Sequence, residues 1–262
     1  MPLAILMYHS LDDTGSPISI APGTFARHLR RLRDTGFTVL PLGEALADRS
    51  RRRLAALTFD DGYASVCDVA APLIAEYNWR ATLFAVSGYI GSNNQWPGQA
   101  AFVPRAPLLT WGQLGDLSSG GWEIGAHTRT HPDLTRLSTD LIEAEVAGGK
   151  RDLEDRLGRA VDLFAYPSGR YDHRVRAVVR RYYRAACTTD MGWVSASSPA
   201  DALERIEMWD FARPGADRLL GSRLMSPYIA ACRAARMLSP RRRAAPRHHP
   251  CSACGGSALG QD

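Results

Sequence analysis

Two short segments of the chain contain residue types that could hold a metal ion. The first is Asp60-Asp61-Gly62, which directly follows the apolar run Ala55–Phe59. Two adjacent carboxylates raise the pKa of one of them unless a cation compensates their charges. A divalent metal on one carboxylate would relieve that repulsion and leave the other carboxylate free as a base. Taken alone, the same residues also suit a turn that caps a following helix, so this segment does not decide between the two interpretations.

The second segment is His127-Thr-Arg-Thr-His131, which follows the apolar run Trp122–Ala126. Pro132 disfavours helical geometry at His131, so the two histidines are predicted on a loop, unlike the helical pair of an HExxH zinc motif. Two histidines and one carboxylate form a three-ligand set with open positions for water and substrate, as a catalytic zinc ion requires. Both segments together therefore predict a metal site.

The elements that must position these segments can be read from the rest of the sequence. Short apolar runs alternate with longer stretches of helical period, a pattern that is typical of βα units and a parallel sheet. In such folds the chemistry gathers at the C-terminal ends of the strands. Eight runs are predicted as strands, which suggests a closed or nearly closed α/β barrel. They are Leu3–Tyr8, Phe37–Pro41, Ala55–Phe59, Ala81–Val86, Trp122–Ala126, Leu163–Tyr166, Ala185–Thr188 and Arg205–Met208.

Helices are predicted between these strands. One begins near Thr24 as N-cap and ends before Gly36, and another follows a capping box formed by Thr110 and Gln113. A helix over 217–238 is predicted to carry its arginines on the outer side. The long polar loop Gly88–Pro107 suits either a substrate wall or an insertion without a role.

Composition excludes several classes of protein. Lys150 is the only lysine among 32 basic residues, which argues against Schiff-base enzymes and P-loop proteins. The net charge of +5 lies mostly in residues 240–262, which hold four arginines against Asp262. We predict one domain over 1–239 and a basic, disordered tail over 240–262 that could contact an anionic membrane surface weakly. No nucleic-acid partner and no transmembrane segment are indicated.

Localisation is predicted from the cysteines and the N-terminus. Five cysteines form no disulfide framework, which favours a reducing compartment. The segment MPLAILMYHS has no basic region and too short an apolar run for a signal peptide. We therefore expect a cytoplasmic protein.

On both metal-binding segments the sequence resembles the polysaccharide deacetylases of carbohydrate esterase family 4, the NodB-homology proteins. The resemblance rests on Thr58-Phe-Asp-Asp-Gly62 and on the two histidines, in the family's order. It implies a distorted (β/α)7-8 barrel, Asp60 as catalytic base, and one divalent ion bound by Asp61, His127 and His131. Zn²⁺ is the expected ion, with Co²⁺, Ni²⁺ or Fe²⁺ as alternatives.

The remaining family motifs depart from the usual pattern. Phe164-Ala-Tyr-Pro-Ser-Gly169 resembles the poly-N-acetylglucosamine deacetylase branch, which implies that the backbone N–H of Ser168 binds the oxyanion. The family's usual arginine beside the base is absent here, and Arg170 and Arg205 are the candidates to replace it. That branch is circularly permuted, so Leu6-Met-Tyr-His9 at the first strand stands for the family's last motif and implies His9 as general acid.

The resulting prediction is a metal-dependent hydrolase that removes N-acetyl groups from an N-acetylated sugar or polysaccharide. Two alternatives stay open. A non-catalytic glycan-binding protein could keep the same fold, and a metal-dependent phosphoesterase would need more ligands for a second ion than this chain offers.

Overall fold

The computed structural model describes residues 2–48, 50 and 53–238, and the predicted tail lies outside these ranges. The strands are β1 (Ala4–Tyr8), β2 (Phe37–Val39), β3 (Arg53–Phe59), β4 (Thr82–Ala85), β5 (Glu123–Ala126), β6 (Leu163–Ala165), β7 (Ala185–Met191) and β8 (Leu203–Glu207). The helices are α1 (Pro22–Asp34), α2 (Leu42–Ala47), α3 (Ala71–Ala75), α4 (Trp111–Ser119), α5 (Thr139–Leu157), α6 (His173–Tyr182), α7 (Met208–Phe211) and α8 (Met225–Leu238). A π-helical turn, Val66–Ala70, leads into α3.

The eight strands are parallel and form the order β1-β8-β7-β6-β5-β4-β3-β2. Because β1 also pairs with β3, seven of them close into a barrel. The strand β2 pairs only with the first residues of β3, Arg53–Ala55, and stays outside the ring. The prediction of an α/β barrel of the distorted (β/α)7-8 type is therefore confirmed.

Alternation along the strands separates two sets of side chains. On β1, Ala4, Leu6 and Tyr8 pack against the surrounding helices, whereas Ile5 packs with residues of the other strands, as does Leu3 just before β1. The second group fills the lower part of the barrel. Its strand members are Ile5, Leu54, Ala56, Phe84, Leu163, Ala165, Ala185, Cys187 and Leu203.

Helix boundaries differ from prediction at two places. The helix α1 begins at Pro22 with Ala21 as N-cap, so the predicted N-cap at Thr24 is wrong, because proline at the first position has no N–H that needs a partner. The capping box of Thr110 and Gln113 is confirmed at α4. In the described part of the chain no helix is long and apolar enough to cross a bilayer.

The region predicted as one helix over 217–238 is a 3-10 turn, Ala216–Leu219, followed by α8. The prediction that its arginines lie on the outer side holds for Arg218, Arg223 and Arg233, which are exposed, but not for Arg236. Arg236 turns inward to Asp210 at 2.7 Å, and Arg233 pairs with Glu204 at 3.0 Å.

Candidate active site

The predicted site residues gather at the C-terminal end of the barrel. His9, Asp60 and His127 each follow a strand in register with its inward-facing positions. The strand hydrogen bonding continues into this end, since the Asp60 N–H donates to the Tyr8 carbonyl and the His127 N–H donates to the Ala85 carbonyl, both at 2.9 Å. Because all strands are parallel, their ends bring these side chains to one mouth.

Asp61, His127 and His131 form the candidate metal centre. Their ligand atoms all lie within 4.8 Å of one another. The Nε2 atom of His127 is 3.4 Å from Asp61 Oδ1, and that of His131 is 3.5 Å from the same oxygen. Bonds of about 2.0–2.2 Å to a tetrahedral ion place neighbouring ligand atoms roughly 3.3–3.6 Å apart, so the three residues fit a divalent ion.

The imidazole of His127 is oriented by the backbone. Its Nδ1 atom lies 2.7 Å from the Ala165 carbonyl oxygen, an acceptor that requires a proton on Nδ1. The lone pair of Nε2 is therefore directed to Asp61 and to the space between the ligands. Burial lowers the pKa of His131 to about 4, which keeps its imidazole neutral as a metal ligand must be.

The loops that carry the candidate residues have a strained backbone. Five non-glycine residues among those described have positive φ, and four lie in these loops. They are Asp61 (φ 72°), Thr128 (φ 65°), His131 (φ 57°) and Ser168 (φ 53°). Such conformations persist where the surrounding contacts fix them, and they concentrate at functional sites.

Asp60 forms a buried ion pair with Arg205. The two guanidinium nitrogens Nη1 and Nη2 donate to the two Asp60 oxygens at 2.7 and 2.6 Å. Arg205 is 1% exposed, and its Nε donates to the Thr188 carbonyl. Burial would raise the pKa of Asp60, but the charge of Arg205 outweighs it and holds that pKa below its usual range. Of the two candidate arginines, Arg205 therefore lies beside Asp60, whereas Arg170 pairs with Asp133 at 2.6 Å.

His9 and Ser168 lie on the same rim. The Nδ1 atom of His9 is buried and has no hydrogen-bond partner among the described residues. A proton on His9 is close enough to lower the pKa of both Asp60 and Asp61. Ser168 follows β6 three residues after Ala165, whose carbonyl accepts from His127.

The loop Gly88–Pro107 is fastened to the metal centre. The Trp96 side chain packs against the His131 ring with centroids 4.5 Å apart, and Trp96 is 3% exposed. The Asn94 amide donates to the Tyr63 hydroxyl at 3.1 Å and to the Pro104 carbonyl at 2.9 Å. Sequence reasoning did not assign Asn94 or Trp96; their position in a long polar loop was the only signal.

A family profile for polysaccharide deacetylases matches residues 47–185, which is more than half of the chain. The chain belongs to the polysaccharide deacetylase family. The predicted family and its reaction class, the hydrolytic deacetylation of sugars, are thereby confirmed. The matched range includes the candidate metal centre and Asp60.

Individual relatives agree with the family. YxkH of Bacillus subtilis is 27% identical over 212 residues, which cover 79% of this chain and 71% of YxkH. The chitooligosaccharide deacetylase of a Bradyrhizobium strain is 27% identical over 181 residues, or 67% of this chain and 66% of that protein. Chitin deacetylase 1 of Cryptococcus neoformans is 28% identical over 122 residues, which are 47% of this chain and 22% of that protein.

Two solved structures share the architecture. The Streptococcus pyogenes deacetylase PplD, determined with acetate, has a TM-score of 0.68 and 27% identity, with 79% of this chain and 92% of that chain covered. IcaB from Ammonifex degensii has a TM-score of 0.66 and 23% identity, with 82% and 97% covered. The IcaB likeness shows the fold alone.

Proposed function

We propose that this deacetylase removes acetyl groups from N-acetylated amino sugars, with one divalent ion held by Asp61, His127 and His131. The observation that carries the proposal is the convergence of these three ligand atoms beside the Asp60–Arg205 pair at one barrel mouth. Zn²⁺ suits two imidazoles and one carboxylate, and Co²⁺, Ni²⁺ and Fe²⁺ are accepted by similar ligands. When bound, such an ion polarises the acetamide carbonyl and lowers the pKa of a water molecule.

Asp60 is the proposed base. Its lowered pKa keeps the carboxylate ionised at neutral pH, so that it can accept the proton of the attacking water. Arg205 occupies one lone pair on each carboxylate oxygen and leaves the others available, since a carboxylate has about four acceptor sites. Arg205 therefore acts as a positioning residue that fixes the orientation and charge of Asp60.

His9 and Ser168 complete the proposed machinery. The buried Nδ1 atom of His9 lacks a protein partner, which leaves the ring available to donate a proton to the departing amine. The backbone N–H of Ser168 is proposed to donate to the oxyanion, a role that does not depend on the side chain. The products are acetate and the free amino sugar.

The two alternatives make different demands on the site. A phosphoesterase with two or three ions needs a larger set of ligands, and the described residues contain a single metal-binding group of three. A glycan-binding protein has no need for a buried carboxylate fixed by an arginine next to that group. The predicted cytoplasmic location and the identity of the sugar stay predictions.

The test is acetate release from N-acetylglucosamine oligosaccharides by the purified protein. We expect activity that a chelator abolishes and that added Zn²⁺ or Co²⁺ restores. Asp60→Asn and His9→Ala should each lower kcat by about 10²–10⁴-fold. Asp155→Asn, which changes an exposed carboxylate on α5, is the matched control and should keep full activity.

Three results would reject or redirect this proposal. Release that resists the chelator, or full activity of Asp60→Asn, rejects the mechanism. Two or more tightly bound ions per chain would favour the phosphoesterase. Absence of bound metal together with glycan binding would favour the non-catalytic protein.

A further inference from the structure

The outward side of α8 is apolar. Its exposed residues recur at spacings of three and four, which places them on one side of the helix and its N-terminal approach. Leu224, Met237 and Leu238 are 60%, 58% and 70% exposed and are three of the five large exposed hydrophobic residues described. We call this surface the α8 face, formed by Leu224, Pro227, Ala231, Ala234, Met237 and Leu238.

Other surface helices of the molecule are charged on their outer side. The helix α1 exposes Arg30 and Arg33, and α6 exposes Arg180 and Arg181. On α8 the two arginines are not among the residues of the α8 face: Arg236 bonds Asp210 beneath the helix, and Arg233, although exposed, pairs with Glu204. A contiguous exposed apolar surface of this kind marks an interaction site.

The sequence from residue 218 onward is almost free of acidic residues, although Glu204 and Asp210 of the preceding part pair with Arg233 and Arg236. Residues 218–262 contain eight arginines and a single acidic residue, Asp262, whereas the preceding part of the chain has a small negative net charge. Arg223 is exposed just before the helix, and Arg241, Arg242 and Arg243 follow soon after Leu238 in the sequence. An apolar helix face flanked by basic residues has the composition that binds anionic lipid surfaces.

We propose that the α8 face and the arginines of residues 218–262 bind an anionic lipid surface. The apolar side chains enter the headgroup region, and the guanidinium groups pair with lipid phosphates. Pairing with a second copy of the chain is disfavoured because it would bring two sets of arginines together. A polyanion such as nucleic acid would use the arginines but would leave the apolar residues without a role.

Vesicle sedimentation of the full-length protein tests the proposal. We expect binding to vesicles of phosphatidylcholine with phosphatidylglycerol, weak binding to phosphatidylcholine alone, and a loss of binding at high salt. Replacing Arg241, Arg242 and Arg243 by alanine should weaken binding by about a hundred-fold. Leu238→Asp should weaken it by about ten-fold or more.

Matched controls separate this surface from general stickiness. Leu141→Asp changes another exposed leucine, on α5, and should leave vesicle binding unchanged. The triple alanine variant of Arg30, Arg151 and Arg156 removes three exposed arginines elsewhere and should have less than a ten-fold effect. Acetate release in solution should be unchanged in all these variants, so failure here is distinguishable from failure of the proposed catalysis.

Several outcomes would overturn the proposal. One is equal binding to both kinds of vesicle, and another is an equal effect of Leu141→Asp and Leu238→Asp. Dimerisation that Leu238→Asp abolishes, without vesicle binding, would make the α8 face a self-association surface. DNA binding that is insensitive to Leu238→Asp, again without vesicle binding, would assign the arginines to a polyanion.

Discussion

The lower and upper halves of the barrel interior are built from the same strands and differ in chemistry. The lower half is filled by apolar side chains such as Ile5, Ala56 and Leu203. One or two inward-facing positions later, the same strands provide His9, Asp60 and Arg205. The apolar half closes the barrel. In the polar half Asp60 and Arg205 stay charged while buried because each is the partner of the other, since unpaired buried charges are costly.

The largest effect is expected in the upper half, at Arg205. Arg205→Gln leaves the Asp60 carboxylate buried without its cation, so the free energy of unfolding should fall by about 3–5 kcal/mol. Denaturant unfolding measures this loss. The double variant with Asp60→Asn should regain part of it, and fully additive losses would contradict the pairing. As a control, Arg180→Gln breaks an ion pair of a half-exposed arginine with Asp201 and should cost about 1 kcal/mol or less.

In the lower half, Ile5→Ala should lower the free energy of unfolding by about 2–5 kcal/mol, because it opens a cavity among fully buried side chains. Ile5→Val should cost about 0.5–1.5 kcal/mol. We expect both folded variants to bind one divalent ion with the wild-type Kd, measured by chelator competition. A weakened metal affinity in Ile5→Val would show that packing in the lower half of the barrel also controls metal binding in the upper half.

The free energy of unfolding should depend on pH through a histidine on the outer face of β1, the face that is directed away from the candidate active site. His28 contacts the Tyr8 hydroxyl on the outer face of β1 and the Phe211 carbonyl, with Asp217 and Arg27 nearby. Burial lowers the pKa of His28 to about 4, below its value of about 6.5 in the unfolded chain, so the unfolded state takes up the proton first.

Stability from His28 is therefore complete above about pH 6.5 and declines as the pH falls toward 4. Between about pH 7.5 and pH 5 the expected loss is about 2 kcal/mol. Denaturant unfolding at both pH values measures it. His28→Gln should reduce the difference, and an undiminished difference would assign it to other groups.

The smallest effect is expected at the loop that covers the metal centre. Trp96→Ala removes the ring that packs on His131, and the affinity for Zn²⁺ should fall by about ten-fold because the ligand is less well oriented. Chelator competition measures the Kd independently of catalysis. Trp79→Ala, which removes a tryptophan stacked on Tyr77 instead, is the control and should leave the Kd unchanged.

The sequence predicted the barrel and its metal ligands because both depend on local signals. Each predicted strand is present, with ends that differ by a few residues. The alternation along each strand then determines which side chains point inward, and the residues that directly follow the strands continue the same alternation. The roles of His9, Asp60 and Ser168 depended on family resemblance and stay predictions.

What the sequence did not decide depends on contacts between distant segments. The choice of Arg205 over Arg170 beside Asp60 requires the order of β8, β1 and β3 around the barrel. The contacts of the α8 arginines likewise depend on residues outside the helix, with Glu204 beside Arg233 and Asp210 beside Arg236. Neither partner can be identified from periodicity in the helix.

The position of β1 between β3 and β8 has a consequence for biosynthesis. On one edge β1 pairs with β3, where Ala4 lies opposite Ala55. On its other edge β1 pairs with β8, where Leu6 lies opposite Ile206, so this edge stays unpaired until nearly the whole domain has left the ribosome. Contacts of such large sequence separation form late. Arg205 is synthesised with β8, so Asp60 receives its cation only when the ring closes. A nascent chain that already contains both aspartates and both histidines therefore still lacks the ion pair that holds Asp60.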